Sequence, residues 1–481
     1  MKNAWFVIMV LSLALLTACG GSPAETPPED ENAPMVLIGQ QQVVLEGFDW
    51  GPGVTKTILL LDREVLADSV TPESFRVFET KESFDYAAYG AWAGGDESVD
   101  PGLHTTVTAQ RTVADAYVCD ETGAKVEGAV SGSAVALELA CDPDSGNPYC
   151  FDLLTWHNTV CDPYQLVVTL TEDSTLKAAE GETPVEALEI APDLDLKVHY
   201  DAWETGRPSL LPQFTMPQLE QVNLYDAFAG SDGRTLRYAY YAPTAEPDSL
   251  HPLVIWIHGA GEGGEDPTIP LLGNKVTALF GDAFQSVMGG AYVLVPQTPD
   301  FWLTYNENGD WQDNPGVSSV YNATLMELIR SFIDTHPGVD EDRIYIGGCS
   351  NGGFMTMDMV LTYPDFFAAA YPICEAYRDS GITDEQLQGI RDLPIWFIWA
   401  ANDDTVVPET FEIPTVDRLR AIGANVHTSV FPNVVDTSGL YKNEDGTPYE
   451  YMGHWSWLYF FNGECEENGV LLWDWLAAQH K

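Results

Sequence analysis

Arg343-Ile344-Tyr345-Ile346-Gly347-Gly348-Cys349-Ser350-Asn351-Gly352-Gly353-Phe354 runs from a short apolar stretch, through glycines, into residues without turn signals. Arg343 to Gly347 reads as a buried strand, and Gly352 to Thr362 as a helix. Between them, Gly348-Cys349-Ser350-Asn351-Gly352 has the form G-x-S-x-G. Such a string is common by chance in a glycine-rich chain, so its weight comes from its surroundings. Strand, sharp turn and helix together lift a serine to the edge of a sheet, and the missing side chains of the glycines let strand and helix approach in a strained turn. The alternative is an ordinary strand-to-helix connection.

Working outward, strand-like runs alternate with helical ones. The predicted strands are Leu236 to Ala242, Leu253 to Ile257, Ala291 to Val295, Arg343 to Gly347, Phe367 to Pro372, Ile395 to Trp399 and Val426 to Phe431. Helices are predicted at Tyr321 to Thr335, Gly352 to Thr362 and Asp384 to Arg391. Near-continuous apolar strands alternating with helices imply a mostly parallel sheet covered on both faces. With the serine elbow, this predicts an α/β class: an α/β-hydrolase doubly wound sheet over residues 211–481.

Upstream the texture is different. Val36-Leu37-Ile38, Thr57 to Leu61, Ser74 to Phe78, Ala134 to Leu139 and Leu166 to Leu170 are short and rich in β-branched residues, with Gly, Asp and Pro between them. They predict an all-β, immunoglobulin-like sandwich over residues 35–210, with Pro208 and Pro212 near the junction. A length of 481 residues fits two domains. There are 73 acidic against 21 basic residues, a formal net charge of −52. Such a surface repels nucleic acid and anionic membrane faces, so neither is an expected partner.

At the start of the chain, Lys2 precedes an apolar run from Ala4 to Leu16, too short to span a bilayer. Leu16-Thr17-Ala18-Cys19 has the form of a bacterial lipobox. Residues 1–19 are therefore expected to be a lipoprotein signal with Cys19 as the lipidation site, and residues 20–34 a flexible linker. A plain secretory signal is the alternative. Both place the protein outside the cytoplasm, with membrane contact only through the lipid. In that setting thiols pair. Cys119, Cys141, Cys150 and Cys161 allow two bridges in three connectivities, whereas Cys349, Cys374 and Cys465 leave one odd thiol. Neither a C-x-x-C pair nor H-E-x-x-H occurs, so no zinc site and no cofactor are expected.

The elbow makes Ser350 the candidate nucleophile. His258-Gly259-Ala260-Gly261, after the strand Leu253 to Ile257, offers a backbone N–H from Ala260 (or Gly261). With the N–H of Asn351 it would form an oxyanion hole. Gly259 to Gly264 also fits G-x-G-x-x-G, but Pro267 and Pro270 interrupt the helix that a dinucleotide site requires. The acid should leave the strand Ile395 to Trp399. Asp404 is the choice, from Asp-x-x-Val-Pro, with Asp403 in reserve. The base must follow it. His427 lies within a strand and His480 next to the C-terminus, leaving His454 in Gly453-His454-Trp455-Ser456-Trp457. Trp302, Trp311, Tyr451, Trp455 and Trp457 either line a pocket or pack.

From Leu253 to Lys481 the chain resembles the bacterial secreted esterases of the polyhydroxybutyrate depolymerase-like and feruloyl-esterase-like group, also labelled predicted peptidases. The pieces that match are His258-Gly259-Ala260-Gly261-Glu262, the Arg343 to Phe354 segment, Tyr363-Pro364-Asp365 and Pro372-Ile373-Cys374. The N-terminal half is similar to the immunoglobulin-like domain that precedes some of these esterases, through Trp50-Gly51-Pro52 and Cys161-Asp162-Pro163-Tyr164. The chain departs from the pattern at Trp399-Ala400-Ala401, where His-Gly is usual, and in the long loop from Pro432 to Gly453. The resemblance implies a serine hydrolase acting on small or polymer-linked esters through an acyl-enzyme. A serine peptidase of the same fold and a non-catalytic glycan-binding surface lipoprotein are the rival readings.

Overall fold

The computed structural model describes residues 34–191, 214–244, 249–304 and 316–481. The export signal, Cys19, nearly all of the 20–34 linker, Pro208, Pro212, the boundary at 210/211 and Trp311 lie outside them. No helix among the described residues is long and apolar enough to cross a membrane.

The N-terminal domain is a β-sandwich. Its larger sheet comprises β1 (Val36–Phe48), β2 (Gly51–Leu66), β5 (Val113–Val118), β6 (Ser131–Leu139) and β10 (Ala187–Ile190), in the order β10-β1-β2-β6-β5. The smaller sheet is β4 (His104–Arg111), β3 (Phe75–Phe84) and β9 (Tyr164–Leu170). Alternate residues of the facing strands, among them Val54, Leu59, Val77, Val135, Leu137, Leu166 and Val168, fill the space between the sheets. A hairpin of β7 (Tyr149–Asp152) and β8 (His157–Val160) projects from the sandwich. All five expected strand stretches lie within β1, β2, β3, β6 and β9, apart from Ser74. The seven cysteines of the described residues are free thiols rather than bridges. Cys150 Sγ hydrogen-bonds Thr159 Oγ1 at 3.3 Å across the hairpin.

A two-residue strand, β11 (Phe214–Thr215), follows and pairs in parallel with Val43 and Val44 of β1. The C-terminal domain then forms an eight-stranded sheet in the order β12-β13-β15-β14-β16-β17-β18-β19. Its strands are β12 (Val222–Ala229), β13 (Thr235–Tyr241), β14 (His251–Ile257), β15 (Tyr292–Gln297), β16 (Val339–Cys349), β17 (Ala369–Ile373), β18 (Ile395–Ala400) and β19 (Val426–Phe431). β12, β13 and β15 pair antiparallel, and β15 through β19 run parallel. Along β14, Leu253, Ile255 and Ile257 pack on one face, against the helices Asn322–Thr335 and Asn351–Thr362. Val254 and Trp256 pack on the other, in a core that continues into the β-sandwich.

The two domains meet over polar contacts as well. Lys275 Nζ lies 2.8 Å from Asp49 Oδ1 and 2.7 Å from Asn462 Oδ1, and Asn462 Nδ2 donates to Asp49 Oδ2 at 3.1 Å.

Candidate active site

β16 delivers the chain to Ser350, whose φ of 55° and ψ of −114° place it outside the regions that L-residues favour. Three hydrogen bonds hold this turn: Ser350 N–H donates to Ile373 O at 2.9 Å, and Ser350 O accepts from Phe354 N–H at 2.9 Å and from Ala376 N–H at 3.3 Å. A Cβ on Gly352 would collide with the carbonyl oxygens of Ile257 and His258, so only glycine lets the helix sit against the end of β14.

The loop after β14 is pinned by His258. Its Nδ1 donates to Gly259 O at 2.6 Å, and its Nε2 accepts from Thr298 N–H at 3.2 Å. The ring is fully buried, which lowers its pKa to about 4 and keeps it neutral. Ala260 then opens a one-turn helix, Ala260–Glu262. Gly259 packs against Cys349, the residue before the serine, so this turn lies against the elbow. Asn351 opens its own helix, and its N–H therefore has no acceptor within it. Its side-chain Oδ1 accepts from Trp302 N–H at 2.7 Å.

His454 is 8% exposed and sits edge-on to the Trp457 ring. Its Nδ1 hydrogen-bonds Asp403 Oδ2 at 2.7 Å. The carboxylate only accepts, so Nδ1 carries the proton and Nε2 presents a lone pair. Asp403 Oδ1 accepts from the N–H groups of Thr405 and Val406 at 2.9 and 3.0 Å. The expectation for Asp404 is corrected here: that side chain is exposed, and its neighbour turns inward to the histidine. The physical reason is the turn itself, because binding two N–H groups locks Asp403 inward and leaves Asp404 on the outer side.

Cys374 Sγ, an Asp403 carboxylate oxygen and a His454 ring nitrogen lie within 4.8 Å of one another. Burial holds the Cys374 thiol well above its usual range. Behind it, Glu375 accepts from Tyr377 N–H at 2.6 Å, and burial, then the nearby Glu412, pushes its carboxyl up.

The other histidines are elsewhere: His427 bonds Glu467 and stacks on Trp396, and His480 is exposed. Of the aromatic candidates, Trp302, Tyr451 and Trp457 are buried and pack, whereas Trp455 is half-buried. Two functional candidates escape a reading of local sequence. Glu262 follows Gly261 with its side chain buried, and Asn158 approaches it from the N-terminal domain. Glu262 at least falls within the His258 to Glu262 motif, whereas nothing near Asn158 marks it.

Residues 40–184 match the family model described as the esterase immunoglobulin-like N-terminal domain, and residues 244–438 match phospholipase/carboxylesterase. A poly(3-hydroxyalkanoate) depolymerase C of Paucimonas lemoignei is 25% identical over 257 residues, 46% of this chain. The chain spans only 56% of that relative's length. The crystal structure of a thermostable esterase superposes with a TM-score of 0.66 at 22% identity, covering 92% of this chain and 99% of the other.

Proposed function

We propose that this chain, with an immunoglobulin-like domain ahead of a carboxylesterase-type α/β-hydrolase domain, hydrolyses carboxylic esters by two-step acyl transfer. Ser350 attacks the ester carbonyl while His454 Nε2 takes its proton, and Asp403 orients the ring and stabilises its charge. The N–H groups of Ala260 and Asn351 stabilise the oxyanion. His454 returns the proton to the leaving alcohol, and water cleaves the acyl-enzyme by the same route. The observation that carries this reading is the shielded hydrogen bond of 2.7 Å between His454 and Asp403, on loops at the same end of the sheet as the strained Ser350 turn.

The test is turnover of short p-nitrophenyl esters, oligomeric hydroxyalkanoates and matched amides, together with labelling by a fluorophosphonate. The hydroxyalkanoates enter because of the depolymerase relative. Ester cleavage that Ser350→Ala abolishes, with the adduct on Ser350, is expected. Full ester turnover by folded Ser350→Ala overturns the proposal, and preferential amide cleavage makes the protein a peptidase.

The same proposal puts the protein outside the cytoplasm, tethered by lipid at Cys19. Incorporation of labelled fatty acid that Cys19→Ala abolishes is expected; unchanged membrane association of that variant overturns the tether.

A further inference from the structure

The hairpin of β7 and β8 belongs to the N-terminal domain, yet it reaches both sides of the oxyanion site. On one side Asn158 Nδ2 donates to Glu262 Oε1 at 3.2 Å. Glu262 closes the one-turn helix that Ala260 opens, and its own carbonyl accepts from Gln297 Nε2 at 2.9 Å. Between them lies Gly261, covered by the hairpin so closely that a Cβ there would stand 2.7 Å from Asn158 Nδ2 and 3.2 Å from the Phe151 ring. On the other side His157 Nε2 lies 3.6 Å from Asp300 Oδ1, and its ring lies against Phe301 at 4.7 Å between centroids. The next residue is Trp302, whose N–H holds the Asn351 side chain. One hairpin thus touches a neighbour of Ala260 and the residue before the one that holds the Asn351 side chain.

We infer that this hairpin is a positioning arm for the oxyanion hole, acting through Asn158 on the Ala260–Glu262 turn and through His157 on the loop that holds Asn351. The inference rests on the ester hydrolase reading above. The physical argument is that oxyanion donors act by being fixed before the charge develops, so whatever immobilises their backbone contributes to the transition state more than to substrate binding. A turn of three residues has little rigidity of its own. Glu262 supplies it by sending its side chain inward, where Oε1 accepts from the Asn158 amide while Oε2 is buried without a hydrogen-bond partner among the described residues. A buried carboxyl stays in place only while such a donor is present. Neither Asn158 nor His157 touches the reacting atoms, so both are positioning residues.

Asn158→Ala tests this in the full chain, with kcat and KM on a short p-nitrophenyl ester and Ki for a trifluoromethyl ketone. The ketone forms a tetrahedral adduct with the serine and so uses the oxyanion donors. A fall in kcat of about 10-fold is expected, smaller than the loss on removing a donor outright. KM should move less than about twofold, and Ki for the ketone should rise in step with kcat/KM. Glu262→Gln is measured alone and with Asn158→Ala, and the pair should lose no more than the worse single variant. Where Asn158→Ala does not fold, His157→Ala on the same hairpin takes its place, with the same split expected between kcat and KM. Unchanged kcat and Ki, or strictly additive losses, overturn the inference. The two proposals fail separately: an inactive Ser350→Ala beside a fully active Asn158→Ala removes the arm and leaves the hydrolase.

Discussion

Asp403 and His454 stand 51 residues apart in the chain, and their side chains meet at 2.7 Å with 0% and 10% of their surfaces exposed. Shielding from water strengthens the interaction and fixes the imidazole tautomer. Asp403→Asn is therefore expected to reduce kcat by about 10²–10⁴-fold with little change in KM, since loss of the acid misorients the base. Asp404→Asn, next to it but exposed, should stay within about twofold of the parent. Steady-state kinetics on a single ester decides between the two aspartates.

Ser350 holds a positive φ that a β-carbon disfavours. Strain of this kind costs about 1–3 kcal/mol, and glycine relieves it at some cost in unfolded-state entropy. Both Ser350→Ala and Ser350→Gly lack the nucleophile, but the glycine variant is expected to be the more stable by about 1 kcal/mol. Urea denaturation of the two inactive proteins measures the difference. An alanine variant more stable than the glycine variant would mean that the turn is unstrained.

His258 gives the acid limb of the stability profile a definite sign. Its folded pKa lies near 4, below the unfolded value of 6.5. Above pH 6.5 neither state is protonated and the group has no effect. As pH falls from 6.5 towards 4 the unfolded chain takes up a proton that the folded one refuses, so stability is lost over that window. The full loss is about 3 kcal/mol. A His258→Asn variant is expected to be less stable at neutral pH, yet flatter between pH 6.5 and 4. Parallel curves for the two proteins would contradict this.

Lys275 joins the domains by bonding Asp49 and Asn462 together. Asp49 is nearly buried, and Asn462 alone would remain to pair it. Lys275→Met is expected to lower stability by about 1–2 kcal/mol, the lysine side chain being a third exposed. The apolar core shared by the domains should keep unfolding in a single transition. A second transition seen by calorimetry would show that the polar cluster alone joins them.

Much of this architecture was readable in advance, and the exceptions have physical causes. β14, β16, β17 and β18 are apolar because both their faces are covered, and such runs announce themselves. No strand was expected at β12, an edge strand in which Asn223 and Asp226 interrupt the apolar residues. The helix Glu412–Ala421 was also unforeseen, because Pro414 sits in its first turn, where a helix tolerates it but a pattern search stops. Ser350 and His454 follow from local motif and chain order. The choice between Asp403 and Asp404 depends on which way one turn faces, and two adjacent aspartates carry no mark of that. The contact between Asn158 and Glu262 spans 104 residues and two domains, so no local pattern could encode it.

β11 carries a consequence for anyone who wishes to excise the C-terminal domain. Phe214 and Thr215 pair in register with Val43 and Val44 in the other domain's sheet. A fragment beginning at residue 211 would keep this short strand but lose its partner, leaving bare backbone groups ready to recruit a second molecule. A fragment beginning at residue 216 would avoid that sticky end.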